Sequence, residues 1–233
     1  MAWALLKLAA WSGEARFRDA ALAAITYERS TFVEAEANWP DYRSAPGKDP
    51  DVPVCELAWC HGAPGIALAR SDGLLHLDDH ATRAEIQFAL DSTLRTPLGR
   101  NHCLCHGDLG NIEVLLLAAE RMDQRAQHSS HAGAPPDSGV SARSAEARDL
   151  SAGCESRHGC RSGAWRAAAQ GMARATLRSI AARGLLCGGS SQIAPPGLMV
   201  GLSGIGYAAL RLAAPARVPS VLILERPRLQ AAF

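Results

Sequence analysis

Aromatic side chains are scarce, at 5% of the 233 residues, although 48% of the chain is hydrophobic. A core with so few rings must be filled by alanine and leucine, which favours helix over sheet and makes the expected class all-α. Charge of one sign is lacking too: a formal net charge of +1 and no basic stripe exclude an electrostatic footprint for nucleic acid. The apolar opening run from Met1 to Trp11 has no positively charged lead-in and is far too short to span a bilayer. It reads as a buried helix, with no membrane span. Seven cysteines, an odd number without a signal peptide, argue against a disulfide framework and for a reduced, cytoplasmic chain with metal-binding thiols. No lysine follows Gly197, Gly201 or Gly204 in phosphate-loop position, so these glycines are read as allowing close helix packing.

What the chain does have is helical periodicity. A chain of 233 residues holds one domain with a sizeable core, or part of a larger repeat architecture. After residues 1–11, an amphipathic helix is expected from Glu14 to about Phe32, with Phe17, Ala21, Ala24, Ile25 and Phe32 near one face. Residues 38–53, rich in Pro, Gly and Asp, read as a binding or lid loop. Further helices are expected at about 64–70, opened by Pro64, then at 81–94 and 109–124. In the last of these, Ile112, Leu115, Leu116 and Ala119 share a face and Asn111, Glu113 and Glu120 point elsewhere. From 127 to 163 large aliphatics almost vanish, which predicts a disordered insertion. Helices resume at 165–183, ended by Gly184, and at 202–213, after a glycine-rich turn at 187–197. The tail at 218–224 reads as a strand or a packed extended segment. Inner and outer helices thus alternate, with glycine-rich loops opening the inner ones, as in an α/α toroid or solenoid.

The sharpest feature is a repeated Cys-His-Gly-x-x-Gly unit. Trp59-Cys60-His61-Gly62-Ala63-Pro64-Gly65 recurs as Leu104-Cys105-His106-Gly107-Asp108-Leu109-Gly110, and Gly201-Leu202-Ser203-Gly204-Ile205 is a third echo without ligands. Two thiolates and one imidazole, Cys60, Cys105 and His106, suit zinc, and a fourth position left to water or substrate marks a catalytic rather than structural site. The bland alternative is that these are buried thiols and helix-capping imidazoles. His61 and His102 are candidates to donate or orient a proton near the metal, or else cap helices. Asp108 would hold a ligand histidine in its tautomer, or cap the next helix. Cys55, Cys103 and Cys187 read as buried thiols, and Cys154, His158 and Cys160 form a ligand-like cluster within the expected insertion.

The stretches at 59–66, 104–111, 196–207 and 218–222, with Tyr27-Glu28-Arg29-Ser30 and Asn38-Trp39-Pro40-Asp41, resemble the C-terminal cyclase domain of class II lanthionine synthetases, the LanM type. The resemblance covers most of the chain outside 127–163. It implies a partial α/α toroid with zinc on Cys60, Cys105 and His106, and His61 as a possible helper. It also implies Michael addition of cysteine thiols of a lanthipeptide precursor to dehydroalanine or dehydrobutyrine. Family members carry a Ser/Ala-His-Gly-x-x-Gly loop just before the helix matching 1–10, and a large N-terminal dehydratase domain. Neither stands in this sequence, so residues 1–233 are expected to be the C-terminal part of a cyclase domain, whose partners include the missing N-terminal half. The alternatives are a non-catalytic zinc-holding scaffold or peptide-binding module, or an inactive remnant.

Overall fold

The computed structural model describes residues 1–43, 54–131, 145–189 and 194–227. The fold is all-α: helices α1 (Ala2–Ser12), α2 (Ala15–Ser30), α3 (Ala63–Gly73), α4 (His80–Thr93), α5 (Asp108–His131), α6 (Ala145–Arg183) and α7 (Leu202–Ala213), with short 3-10 turns at Glu34–Glu36 and Val221–Ile223. Among the described residues the only β pairing is three isolated bridges, Val33–Asn38, Asp41–Val54 and Ala58–His61.

Helix ends follow local chemistry. Gly13 and Gly184 take left-handed backbone, at φ 72° and 76°, and close α1 and α6 where only glycine adopts it freely. Asp79 accepts the Thr82 N–H at 2.7 Å and caps α4. Pro64 stands in the first turn of α3, where its missing N–H costs nothing.

Packing divides the helices into two layers. The odd-numbered helices touch in series, α1 to α3, α3 to α5 and α5 to α7, while α2, α4 and α6 each pack on the helix before them. This is the inner and outer alternation that the periodicity predicts. Residues 107–119 are buried without a break, so α5 is the central inner helix and its first half is dry on every side. Asn111 and Glu113, off the aliphatic face, are buried as well. Each is bonded through at least one atom: Asn111 Nδ2 donates to the Leu57 carbonyl at 2.9 Å, and Glu113 accepts from Arg211 Nε at 3.0 Å.

The 218–224 tail is not a strand: Val221–Ile223 form a 3-10 turn after an extended Ser220, with Leu222 and Ile223 in the core. Of the expected insertion, 132–144 lies outside the described residues, and the backbone on either side belongs to the ends of α5 and α6. Cys154, His158 and Cys160 fall on α6, with their side chains outside the description. No helix among the described residues is long and apolar enough to cross a membrane.

Arg211 of α7 is fully buried and ties the tail to α5. Its guanidinium donates to Glu113 at 3.0 Å, to Glu120 at 2.7 Å and to the carbonyls of Val218, at 3.0 Å, and Pro215. Removing a buried cation strands its carboxylates in a dry site. Arg211→Ala is therefore expected to destabilise the chain by about 3–5 kcal/mol, read as a fall in the urea midpoint. A loss under about 1 kcal/mol would show the network to be dispensable.

Candidate metal centre

Three glycine-opened loops converge at one end of the inner helices. The glycine closing each unit, Gly65, Gly110 and Gly204, sits against the carbonyl of the residue six positions earlier, Trp59, Leu104 and Leu198. Any β-carbon there would collide with that backbone, so the third, ligand-free echo shares the local fold of the two Cys-His-Gly units.

The loops are also bonded to one another at equivalent positions. The N–H of Cys60 donates to the carbonyl of Cys105 at 3.3 Å, and the N–H of Cys105 donates to the carbonyl of Met199 at 2.9 Å. Met199 stands two residues before Gly201, as Cys60 does before Gly62 and Cys105 before Gly107. This register aligns the two cysteines.

Side chains brace the two Cys-His-Gly loops. Buried Asn38 accepts the N–H groups of Trp39, at 2.8 Å, and Ala63, at 2.7 Å, and donates to the Glu56 carbonyl at 2.9 Å, so it fixes the start of α3 under Cys60. Asn101 accepts the Cys103 N–H at 3.1 Å and bends the second loop. Asp108 is spent on the Gly99 N–H, at 3.0 and 3.1 Å to its two oxygens, and on the Thr176 hydroxyl at 3.2 Å. None of these bonds touches His106, so the role of holding the ligand imidazole falls elsewhere. His106 Nε2 lies 2.9 Å from the carbonyl of Gly188. A carbonyl only accepts, so Nε2 carries the proton and Nδ1 keeps its lone pair.

The structure brings Cys60, Cys105 and His106 together, with one ligand atom from each within 4.8 Å of the others. A tetrahedral zinc needs its sulfur and nitrogen ligands roughly 3.5–3.8 Å apart, so a small inward movement of the loops suffices. The two cysteines are half-buried and His106 is exposed toward the cleft. Burial, with the neighbouring Cys105 thiol, pushes the Cys60 thiol up to about 12. A metal-free Cys60 is thus protonated at neutral pH, in a position where only a cation makes its thiolate favourable.

The cleft encloses about 810 Å³, and its walls include Cys60, His61, Cys105, His106, Arg43 and Asn111. His61 is partly buried beside Asp41 and Arg43. The Arg43 guanidinium hydrogen-bonds both Asp41 oxygens and contacts His61 Nε2. Arg43 can only donate, which makes Nε2 the acceptor and leaves the His61 proton on Nδ1. The same guanidinium holds the Asp41 carboxyl down to about 2.

The other candidates are structural. His102 is fully buried, accepts the Leu186 N–H on Nδ1 at 3.1 Å, and contacts the Ser179 hydroxyl through Nε2 at 3.0 Å. Burial lowers its pKa, so it is a neutral strut rather than a proton donor. Cys103 is buried as expected, while Cys55 and Cys187 are only partly so. Sequence reasoning missed Arg43 and Gly188, which reach the site only through tertiary contacts. The Asn-Trp-Pro-Asp stretch did signal Asn38.

A family model for lanthionine synthetase C-like proteins matches residues 1–134, more than half of the chain and both Cys-His-Gly loops. The chain belongs to the lanthionine synthetase C-like family. No curated protein matches it. In this lanthionine synthetase C-like chain, residues able to hold a metal sit on the loops that open inner helices α3 and α5.

Metal uptake here must displace protons. Zinc binding is expected to release the Cys60 proton and to tighten as pH rises. Titration calorimetry in buffers of different ionisation enthalpy measures it, and uptake with no proton release would contradict the assignment of Cys60 as a ligand.

Proposed function

We propose that the chain is a zinc-dependent lanthionine cyclase domain of class II LanM type, built as part of an α/α toroid. It works in the cytoplasm on a lanthipeptide precursor whose serines and threonines have already been dehydrated. The convergence of Cys60, Cys105 and His106 in one cleft carries this reading. The donor set fits the metal: two thiols and an imidazole whose other nitrogen is held by a carbonyl. Zinc on these three residues would supply an open position where a peptide thiol is bound as a thiolate that remains nucleophilic.

The chain's own residues then position and protonate. The cleft holds the cysteine and the dehydro residue of one peptide within reach, which turns the addition into a favourably oriented intramolecular step. The sulfur lone pair forms a bond to the β-carbon of dehydroalanine or dehydrobutyrine, and the alkene pair moves onto the α-carbon and its carbonyl. A proton delivered to the α-carbon completes the thioether ring. We assign that delivery to His61, which carries its proton on Nδ1 because Arg43 engages Nε2. Residues 127–163 are an insertion in this reading.

Incubating a dehydrated precursor peptide with the zinc-loaded chain, and counting alkylatable thiols by mass spectrometry, tests the proposal. Thiols are expected to disappear, and Cys60→Ala, Cys105→Ala or His106→Ala is expected to abolish the loss. His61→Phe should keep its zinc and slow ring closure by about 10²–10⁴-fold. A zinc-loaded chain that binds peptide without consuming thiols would instead be a scaffold, and a chain that takes up no zinc would defeat both readings.

A further inference from the structure

Residues 186–188 are stitched to the second ligand loop at several points. The Leu186 carbonyl accepts the His102 N–H at 2.7 Å, and the Leu186 N–H donates to His102 Nδ1 at 3.1 Å. Two residues on, the Gly188 N–H donates to the Val200 carbonyl at 2.8 Å, and the Gly188 carbonyl accepts from His106 Nε2 at 2.9 Å. The segment therefore spans from the base of the second loop to the third loop, and His106 lies in its path.

Gly188 fits because it has no side chain. A β-carbon there would lie 2.6 Å from Cys103 Sγ, 2.7 Å from His106 Nε2 and 2.9 Å from His106 Cε1. Cys103 is fully buried and cannot give way, so the added carbon would push the exposed His106 ring off the Gly188 carbonyl.

We infer that Gly188 is a positioning residue of the metal centre: its carbonyl holds the His106 imidazole as the Nε2–H tautomer and presents Nδ1 to the metal beside Cys60 and Cys105. The inference rests on the metal-centre reading and extends it to a segment outside residues 1–134, the part matched to the family. The physical reason is general. A histidine ligand free to rotate or exchange tautomers loses affinity, and removing the partner of its second nitrogen typically weakens metal binding about 10–100-fold.

The test uses the full chain and zinc itself, competed against a chromophoric chelator. Gly188→Ala is expected to weaken zinc binding about 10–100-fold, with changed ligand-field absorption in the cobalt-substituted protein. Gly197→Ala, where an added β-carbon meets nothing within 4 Å, is expected to bind zinc as the parent does. Parent-like affinity and cobalt spectrum in Gly188→Ala would overturn the inference while leaving the metal centre standing. A parent chain that takes up no zinc would instead remove the metal centre, and the inference with it. Nitrogen NMR of His106 in the zinc-loaded parent decides the matter even if Gly188→Ala fails to fold. A protonated Nε2 with metal on Nδ1 supports the assignment, and the reverse tautomer overturns it.

Discussion

The backbone pairing of the three glycine loops is the constraint on which the site depends. Each bond joins equivalent residues, Cys60 to Cys105 and Cys105 to Met199, so the register of one loop sets that of the next. A single amide hydrogen bond contributes only about 1 kcal/mol net to stability. Its larger effect is geometric: with the two cysteine backbones joined, their thiols emerge from neighbouring points of one rim. The small residues make this possible, because Gly65, Gly110 and Gly204 bring each helix start against the carbonyl of its own loop.

Holding such loops in place requires buried polar groups, and these are expensive unless satisfied. Asn38, Asp108 and Asn111 lie in the interior, and each bonds to main-chain groups of the loops or their approaches. Near the site, the buried polar groups of the inner helices are thus the ones that support the loops. At the opposite side of α5, Arg211 does the same for the C-terminal tail, where its buried charge is matched by Glu113 and Glu120. Such a network adds less to stability than its bond count suggests, because desolvation offsets much of the attraction. Its clearest effect is to make one arrangement of α5, α7 and the tail much better than its neighbours.

Much of this was legible in the sequence because the repeat is local. The recurrence of Cys-His-Gly-x-x-Gly pointed to three residues that the structure brings together and to the helices that follow them, and the glycine-rich loops marked the inner helices. Residues acting through tertiary contact were not legible. Asp108 stands next to the second motif and reads either as the partner of a ligand histidine or as a cap of the next helix, yet its oxygens go to Gly99 and Thr176, while the partner of His106 is a main-chain carbonyl 82 residues away. A carbonyl leaves no mark in composition, and Gly188 looks like any turn glycine. The burial of Asn111 and Glu113 was not legible for a related reason: periodicity reports which positions are apolar, and a buried polar residue with a distant partner breaks the pattern without breaking the helix.

The charges around the cleft bear on how a substrate is chosen. Arg43 is neutralised by Asp41, and Arg100 lies 3.7 Å from Glu56. Two thiolates would likewise balance a divalent metal on Cys60 and Cys105. The rim therefore offers no strong field of either sign, in keeping with the net charge of +1, and steering by long-range attraction has little to act on. Selection in a self-compensated cleft rests on shape and on which groups reach the reacting positions together. That suits the proposed reaction between two side chains of one peptide, where the main gain would come from bringing them together rather than from attracting a charged partner. It also explains why backbone register carries so much of the design: when proximity is the source of rate, misplacing the site by an ångström is costly, and joined loops limit that movement.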